Sequence, residues 1–180
     1  MDYFALFGLP RRLALDVTEL QARFYKLSRE WHPDRYQLKS PEDKQRALDM
    51  TSALNDGLRI LRDPVARAEY VLKGEGFDIG EQRSKDVPAE LLEEVFELNM
   101  ALEELRSGDP AARPQLEEAL AKFLSLRQDI DDQLQELFAR WDQTQDRGVL
   151  AEIRALLNRR RYVRNLIQQA EEALNVHVSN

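Results

Sequence analysis

Apolar residues in this chain recur alternately three and four positions apart in one proline-bounded segment after another. That rhythm restricts the fold more than any other feature. Leu20, Phe24, Leu27 and Trp31 follow one another at 4, 3 and 4 positions, and Leu91, Val95, Leu98, Leu102 and Leu105 at 4, 3, 4 and 3. Such spacing lines one side of a helix of 3.6 residues per turn. Prolines stand at 10, 33, 41, 64, 88, 110 and 114 and nowhere beyond, where they punctuate helices instead of interrupting them. No stretch keeps up the alternation of a strand, and no Asn-Gly type of turn separates two apolar runs. The pattern predicts an all-α chain.

The first unit is expected to hold a short helix near Tyr3–Phe7, then one over about Val17–Trp31 opened by the capping pair Asp16 and Glu19. Pro33 ends it, because the residue before a proline is pushed out of the α region. A second long helix, about Pro41–Leu61, turns Met50, Leu54, Leu58 and Leu61 inward, and a last one covers Val65–Lys73. Two long helices joined by one loop bury their seams only by lying antiparallel. Gly57 falls in the middle of the second, at a cost of about 1 kcal/mol against alanine, and nothing in the sequence explains it. Lys73 to Val87, with three glycines and few large apolar residues, reads as the end of this unit and a linker.

Three helical segments follow, about Ala89–Arg106, Pro114–Trp141 and Val149–Leu174. The second carries Leu116, Leu120, Phe123, Ile130, Leu134, Leu137 and Trp141 inward, and the third Ile153, Leu156, Val163, Ile167, Ala170 and Leu174. Arg127 and Arg160 break these two seams. Heptad-like seams of this length predict an antiparallel three-helix bundle. The expected boundaries are 1–75 for the first domain, 76–87 for the linker and 88–180 for the bundle.

The first bundle helix has more apolar surface than its seam requires. Leu92, Phe96 and Met100 recur at i, i+4 and i+8 on a second face, framed by Glu93, Glu97, Glu103 and Glu104. Two readings stand: a helix buried more broadly than a seam, or a patch that binds a partner. Tyr162 lies outside the third seam among Arg159, Arg161 and Arg164. Ala89 to Arg106 has six acids and one base, net −5, and Arg147 to Arg164 has six bases and one acid, net +5. Part of that contrast serves equally to hold neighbouring helices in register.

Composition removes most enzymatic readings. The chain of 180 residues has no cysteine and two histidines, His32 and His177. A disulfide framework, a thiolate nucleophile and a multi-histidine metal site are therefore excluded. No phosphate loop or activated nucleophile is visible, so the expectation is a protein without a reaction or cofactor of its own. The balance of 26 Lys plus Arg against 33 Asp plus Glu, net −7, argues against nucleic acid as the main partner. No apolar run reaches the roughly 20 residues that span a bilayer. The opening Met1-Asp2-Tyr3-Phe4 lacks a basic secretory leader, so a cytoplasmic protein without membrane attachment is expected.

Between the first two long helices stands Trp31-His32-Pro33-Asp34-Arg35-Tyr36. By itself His32-Pro33-Asp34 is a proline turn with a capping aspartate. Its setting between two amphipathic helices, with Tyr3 and Phe4 ahead of Gly8-Leu9 and with Asn55, Leu58 and Leu61-Arg62-Asp63-Pro64 after it, resembles the J-domain of DnaJ-type co-chaperones over about residues 1–75. The resemblance implies that the tripeptide stimulates ATP hydrolysis by a partner chaperone. It also implies that the basic face formed by Arg23, Lys26, Arg29 and Arg35 docks on an acidic surface of that chaperone, although a merely solvated helix face would look the same. Met1 to Lys39 has seven bases and five acids, a local +2 inside an acidic chain.

The whole length is similar to the HscB family of co-chaperones for iron–sulfur cluster biogenesis. Met1-Asp2-Tyr3-Phe4-Ala5-Leu6-Phe7-Gly8-Leu9-Pro10, Arg67-Ala68-Glu69-Tyr70-Val71-Leu72 and Gly76-Phe77-Asp78 carry that resemblance. It implies two partners, an HscA-like chaperone ATPase and an IscU-like cluster scaffold, and no cofactor on the chain itself. It also implies a scaffold-binding surface at Leu92, Phe96, Glu97, Met100 and Glu104 of the first bundle helix with Tyr162 of the third. Here Phe96 replaces an aliphatic residue, Tyr162 a phenylalanine, and Met100 stands where the family can carry an acid. A general J-protein for unfolded clients and a helical scaffold or regulator are the alternatives.

Overall fold

The computed structural model describes residues 1–79 and 87–178, with side chains described as far as 175. Among these residues every regular element is helical. The linker expected at 76–87 falls mostly on 80–86, outside the described residues. Seven helices follow in order: α1 Tyr3–Leu6, α2 Val17–Glu30, α3 Pro41–Arg62, α4 Pro64–Gly74, α5 Leu92–Arg106, α6 Ala112–Thr144 and α7 Arg147–Val178. They form two compact units. One comprises Met1–Ile79 with Phe138–Leu150, the other Gly80–Leu137 with Ala151–Asn180.

Short polar side chains start the helices of the first unit. Asp16 accepts from the Thr18 and Glu19 N–H groups at 2.9 and 3.2 Å, Ser40 from Asp43 N–H at 3.1 Å, and Asp63 from Ala66 N–H at 2.8 Å. Each satisfies donors that the first turn cannot pair internally. Pro41 and Pro64 sit at the first helical position, where a missing N–H costs nothing. Phe4, Phe7, Leu13, Leu20, Leu54, Leu61 and Leu72 form the core together with Phe138 and Trp141.

Gly57 now has a reason. A β-carbon there would lie 2.9 Å from Tyr3 Cδ1 and 2.9 Å from Phe7 Cε2. The glycine is the groove on α3 into which the α1 aromatics settle. Tyr70 closes that corner, its hydroxyl accepting from Tyr3 N–H at 3.0 Å and its ring 5.3 Å from that of Tyr3.

A second feature escaped the sequence. Arg67 is 3% exposed, and its guanidinium donates to the carbonyls of Leu13 at 2.8 Å and Leu61 at 2.6 Å. Burial lowers its pKa, opposed by the charges of Asp63 and Asp142. Asp142 takes the Leu13 and Ala14 N–H groups at 2.8 and 2.9 Å. The loop from α1 to α2 is thus held on both polar sides of Leu13, an arrangement that satisfies buried backbone groups.

In the second unit Leu98, Ala101 and Leu105 of α5, Leu116, Phe123, Ile130 and Leu134 of α6, and Ile153, Leu157, Val163, Ile167 and Ala170 of α7 are buried. Asp131 with Arg160 at 2.6 Å and Arg113 with the Leu174 carbonyl at 3.5 Å set α6 and α7 antiparallel, and Glu94 of α5 pairs with Lys122 of α6 at 3.7 Å. Arg160 therefore interrupts its seam to pair across helices. The α7 seam also runs through Leu157, with Leu156 only half-buried. Two adjacent leucines straddle the seam, and a 3.6-residue period does not choose between them.

Candidate functional site

His32 ends the first arm of the α2–α3 pair and caps a 3₁₀ turn over Pro33–Tyr36. Its Nδ1 accepts from Asp34 N–H at 3.3 Å and lies 3.5 Å from Asp34 Oδ2. Both contacts engage Nδ1, so Asp34 sets the orientation of the imidazole ring. The side chains of His32 and Asp34 are 59% and 75% exposed. Proline stiffness and this local bonding produce a turn that is rigid and accessible at once.

The base of the turn is gripped from two sides. Trp31 and Tyr36 stack with their planes 1° apart and centroids 5.9 Å apart. The Thr51 hydroxyl of α3 reaches the Trp31 carbonyl at 3.4 Å and the Ala47 carbonyl at 2.8 Å. The tip therefore inherits its position from packed side chains on both helices.

Lys26, Arg29 and Arg35 are exposed. Arg23 stands apart from them. It is half-buried, donating to the carbonyls of Phe7 at 3.0 Å and Gly8 at 2.6 Å and to Glu19 at 2.6 Å. Its charge holds the α1–α2 loop against α2. Sequence reasoning missed Tyr25, which is 53% exposed and lines an open hollow of about 400 Å³ with Ser28, Arg29, His32 and Arg35. The signal was available: Tyr25 and Arg29 stand four apart on α2, and His32 follows three residues later just beyond its end.

On α5, Leu92, Phe96 and Met100 are 55%, 65% and 48% exposed. Leu98, Ala101 and Leu105 fill the core from the other face, so the stripe is surplus to packing. Glu97 is exposed and Glu104 half-buried. Tyr162 is half-buried, and burial raises its pKa. It lines a groove with Val87, Pro88 and Glu90, the segment leading into the striped helix. Among the described residues no group of three His, Cys, Asp or Glu side chains could hold a metal ion, and no helix is long and apolar enough to cross a membrane.

A helical hairpin presenting a stiff His-Pro-Asp tip, together with a bundle that leaves an apolar stripe uncovered, is the arrangement that the resemblance to J-type co-chaperones implies. Comparison with known proteins agrees. The HSCB C-terminal oligomerisation domain matches residues 87–171. The co-chaperone protein HscB homologues of two strains of Vibrio vulnificus, YJ016 and CMCP6, are each 34% identical over 160 residues, 82% of this chain and 86% of theirs. The chaperone HscB structure from Vibrio cholerae superposes with a TM-score of 0.67 at 27% identity, over 97% of this chain and 98% of that one. The human co-chaperone HscB structure gives 0.71 at 26% identity, over 95% of this chain and 81% of that one. The chain belongs to the HscB co-chaperone family.

Proposed function

We propose that this protein is an adaptor without chemistry of its own, which stimulates ATP hydrolysis by an HscA/DnaK-type chaperone and delivers to it an IscU-type iron–sulfur scaffold for cluster transfer. His32, Pro33 and Asp34 engage the ATPase. Lys26, Arg29 and Arg35 steer its approach, and Arg23 keeps the loop behind them in place. Leu92, Phe96 and Met100 hold the scaffold, with Glu97, Glu104 and Tyr162 at the margins of the contact. Joining the two surfaces in one chain raises the effective concentration of scaffold at the chaperone, so binding at one end favours encounter at the other.

The observation that carries this reading is the exposure of a turn whose conformation is fixed from both sides. A tip that must meet a preformed surface loses least entropy when it is already ordered. The experiment is single-turnover ATPase of the cognate chaperone with wild type and His32→Gln. The variant is expected to leave hydrolysis at its unstimulated rate, and equal stimulation by both proteins would reject the assignment. At the other end, Leu92→Ala/Phe96→Ala should weaken scaffold binding by about thirtyfold, corresponding to about 2 kcal/mol, with the melting transition preserved. Unchanged affinity would place the client elsewhere.

A further inference from the structure

The bundle unit contains a groove of about 700 Å³ that the reading above uses only through Tyr162. Val87, Pro88 and Glu90 contribute from the segment ahead of α5, and the α7 residues lining it include Arg154, Leu156, Arg159, Arg161 and Tyr162. Arg160, in the same stretch of α7, pairs with Asp131 at 2.6 Å. Among the described residues Arg154 and Arg159 have no hydrogen-bond or ion-pair partner, and the Nε–H of Arg159 is buried without an acceptor. A guanidinium without an acceptor gains from one, so this groove favours an occupant that brings acceptors.

The guanidinium fork matches a carboxylate in shape and charge. Leu156, Val87 and Pro88 add apolar wall beside the two arginines, which suits a peptide segment that alternates acidic with apolar side chains. Among the described residues Glu90 is the one acid that lines the groove, and it is exposed. The Arg147 to Arg164 stretch is net +5 inside a chain of −7, so this part of the sequence is strongly basic.

We infer that the groove lined by Arg154, Arg159 and Tyr162 receives an acidic segment of the same scaffold protein that the α5 stripe holds. The inference rests on the reading proposed above. It adds a second, electrostatic point of attachment opposite in sign to the glutamates around Phe96. Two attachment points of opposite charge fix the orientation of the client as well as its affinity.

The test is titration of the purified IscU-type scaffold against wild type, Arg154→Gln, Arg159→Gln, the double variant and Leu92→Ala/Phe96→Ala, each at low and at high salt. The double variant is expected to bind about tenfold more weakly at low salt and to lose most of the salt dependence of wild type. If affinity and salt dependence stay at wild-type values while Leu92→Ala/Phe96→Ala abolishes binding, the groove takes no part and the stripe assignment stands. If the arginine variants lose binding and the stripe variant does not, the groove assignment stands and the stripe assignment fails. Thermal melting accompanies every variant. Should Arg159→Gln not fold, Arg154→Gln alone decides, a wild-type titration then overturning the inference.

Discussion

Gly57 and Arg67 show how much of this fold depends on single side chains whose partners lie far off in the chain. Alanine is the better helix former by about 1 kcal/mol, so helix propensity alone predicts that Gly57→Ala stabilises the protein. The contacts of 2.9 Å to Tyr3 and Phe7 predict the reverse, since both neighbours are ring carbons in a packed corner. Overpacking of this kind costs about 1–3 kcal/mol, and urea unfolding should show a net loss. A gain would mean that α1 rides loosely on α3. Arg67→Met should destabilise by about 2 kcal/mol, because the Leu13 and Leu61 carbonyls lose their donor. Urea denaturation measures it, and an unchanged midpoint would show that other donors replace the guanidinium. Neither residue was legible beforehand. A glycine or an arginine within a helical pattern reads as a weak spot or a solvated charge, and the meaning comes from residues some 50 positions away.

At the scale of elements the sequence was far more informative. Each of the long helices stands within a few residues of where its seam, cap and proline placed it, because those signals are local. The surplus stripe on α5 was legible for the same reason. Its residues share a face at i, i+4 and i+8, which is what periodicity can report, and the structure decides that this face is exposed. The α7 seam was less so, since Leu156 and Leu157 compete for one position. The stack of Trp31 on Tyr36 was not legible at all, being set by the 3₁₀ turn between them. That stack makes a prediction about the tip. Aromatic pairs contribute about 0.5–1.5 kcal/mol beyond their buried area, so Trp31→Ala should lower ATPase stimulation roughly two- to tenfold. Trp31→Tyr, which keeps a stacking ring, should restore most of it. Equal activity of both variants would show that the tip holds its shape without the stack.

For the molecule as a whole, the proposed function sorts charge and apolar surface by partner. In the proposed adaptor the exposed bases Lys26 and Arg29 of α2 and Arg35 of the following turn face the chaperone, while Arg23 is spent within the fold. Arg29→Glu/Arg35→Glu should therefore slow association with the chaperone several-fold at low ionic strength. The deficit should shrink as salt shortens the Debye length to a few ångströms. Stopped-flow association rates across a salt series decide this, and a deficit independent of salt would point to lost packing around Tyr25 in place of lost steering. The adaptor claim itself is tested most directly by chaperone ATPase measured with this protein and the scaffold together at concentrations below saturation. Wild type should give stimulation well above the sum of the separate effects, Leu92→Ala/Phe96→Ala should keep only the part due to the tip, and His32→Gln should abolish both. Undiminished synergy in the stripe variant, or stimulation surviving in His32→Gln, would contradict the account.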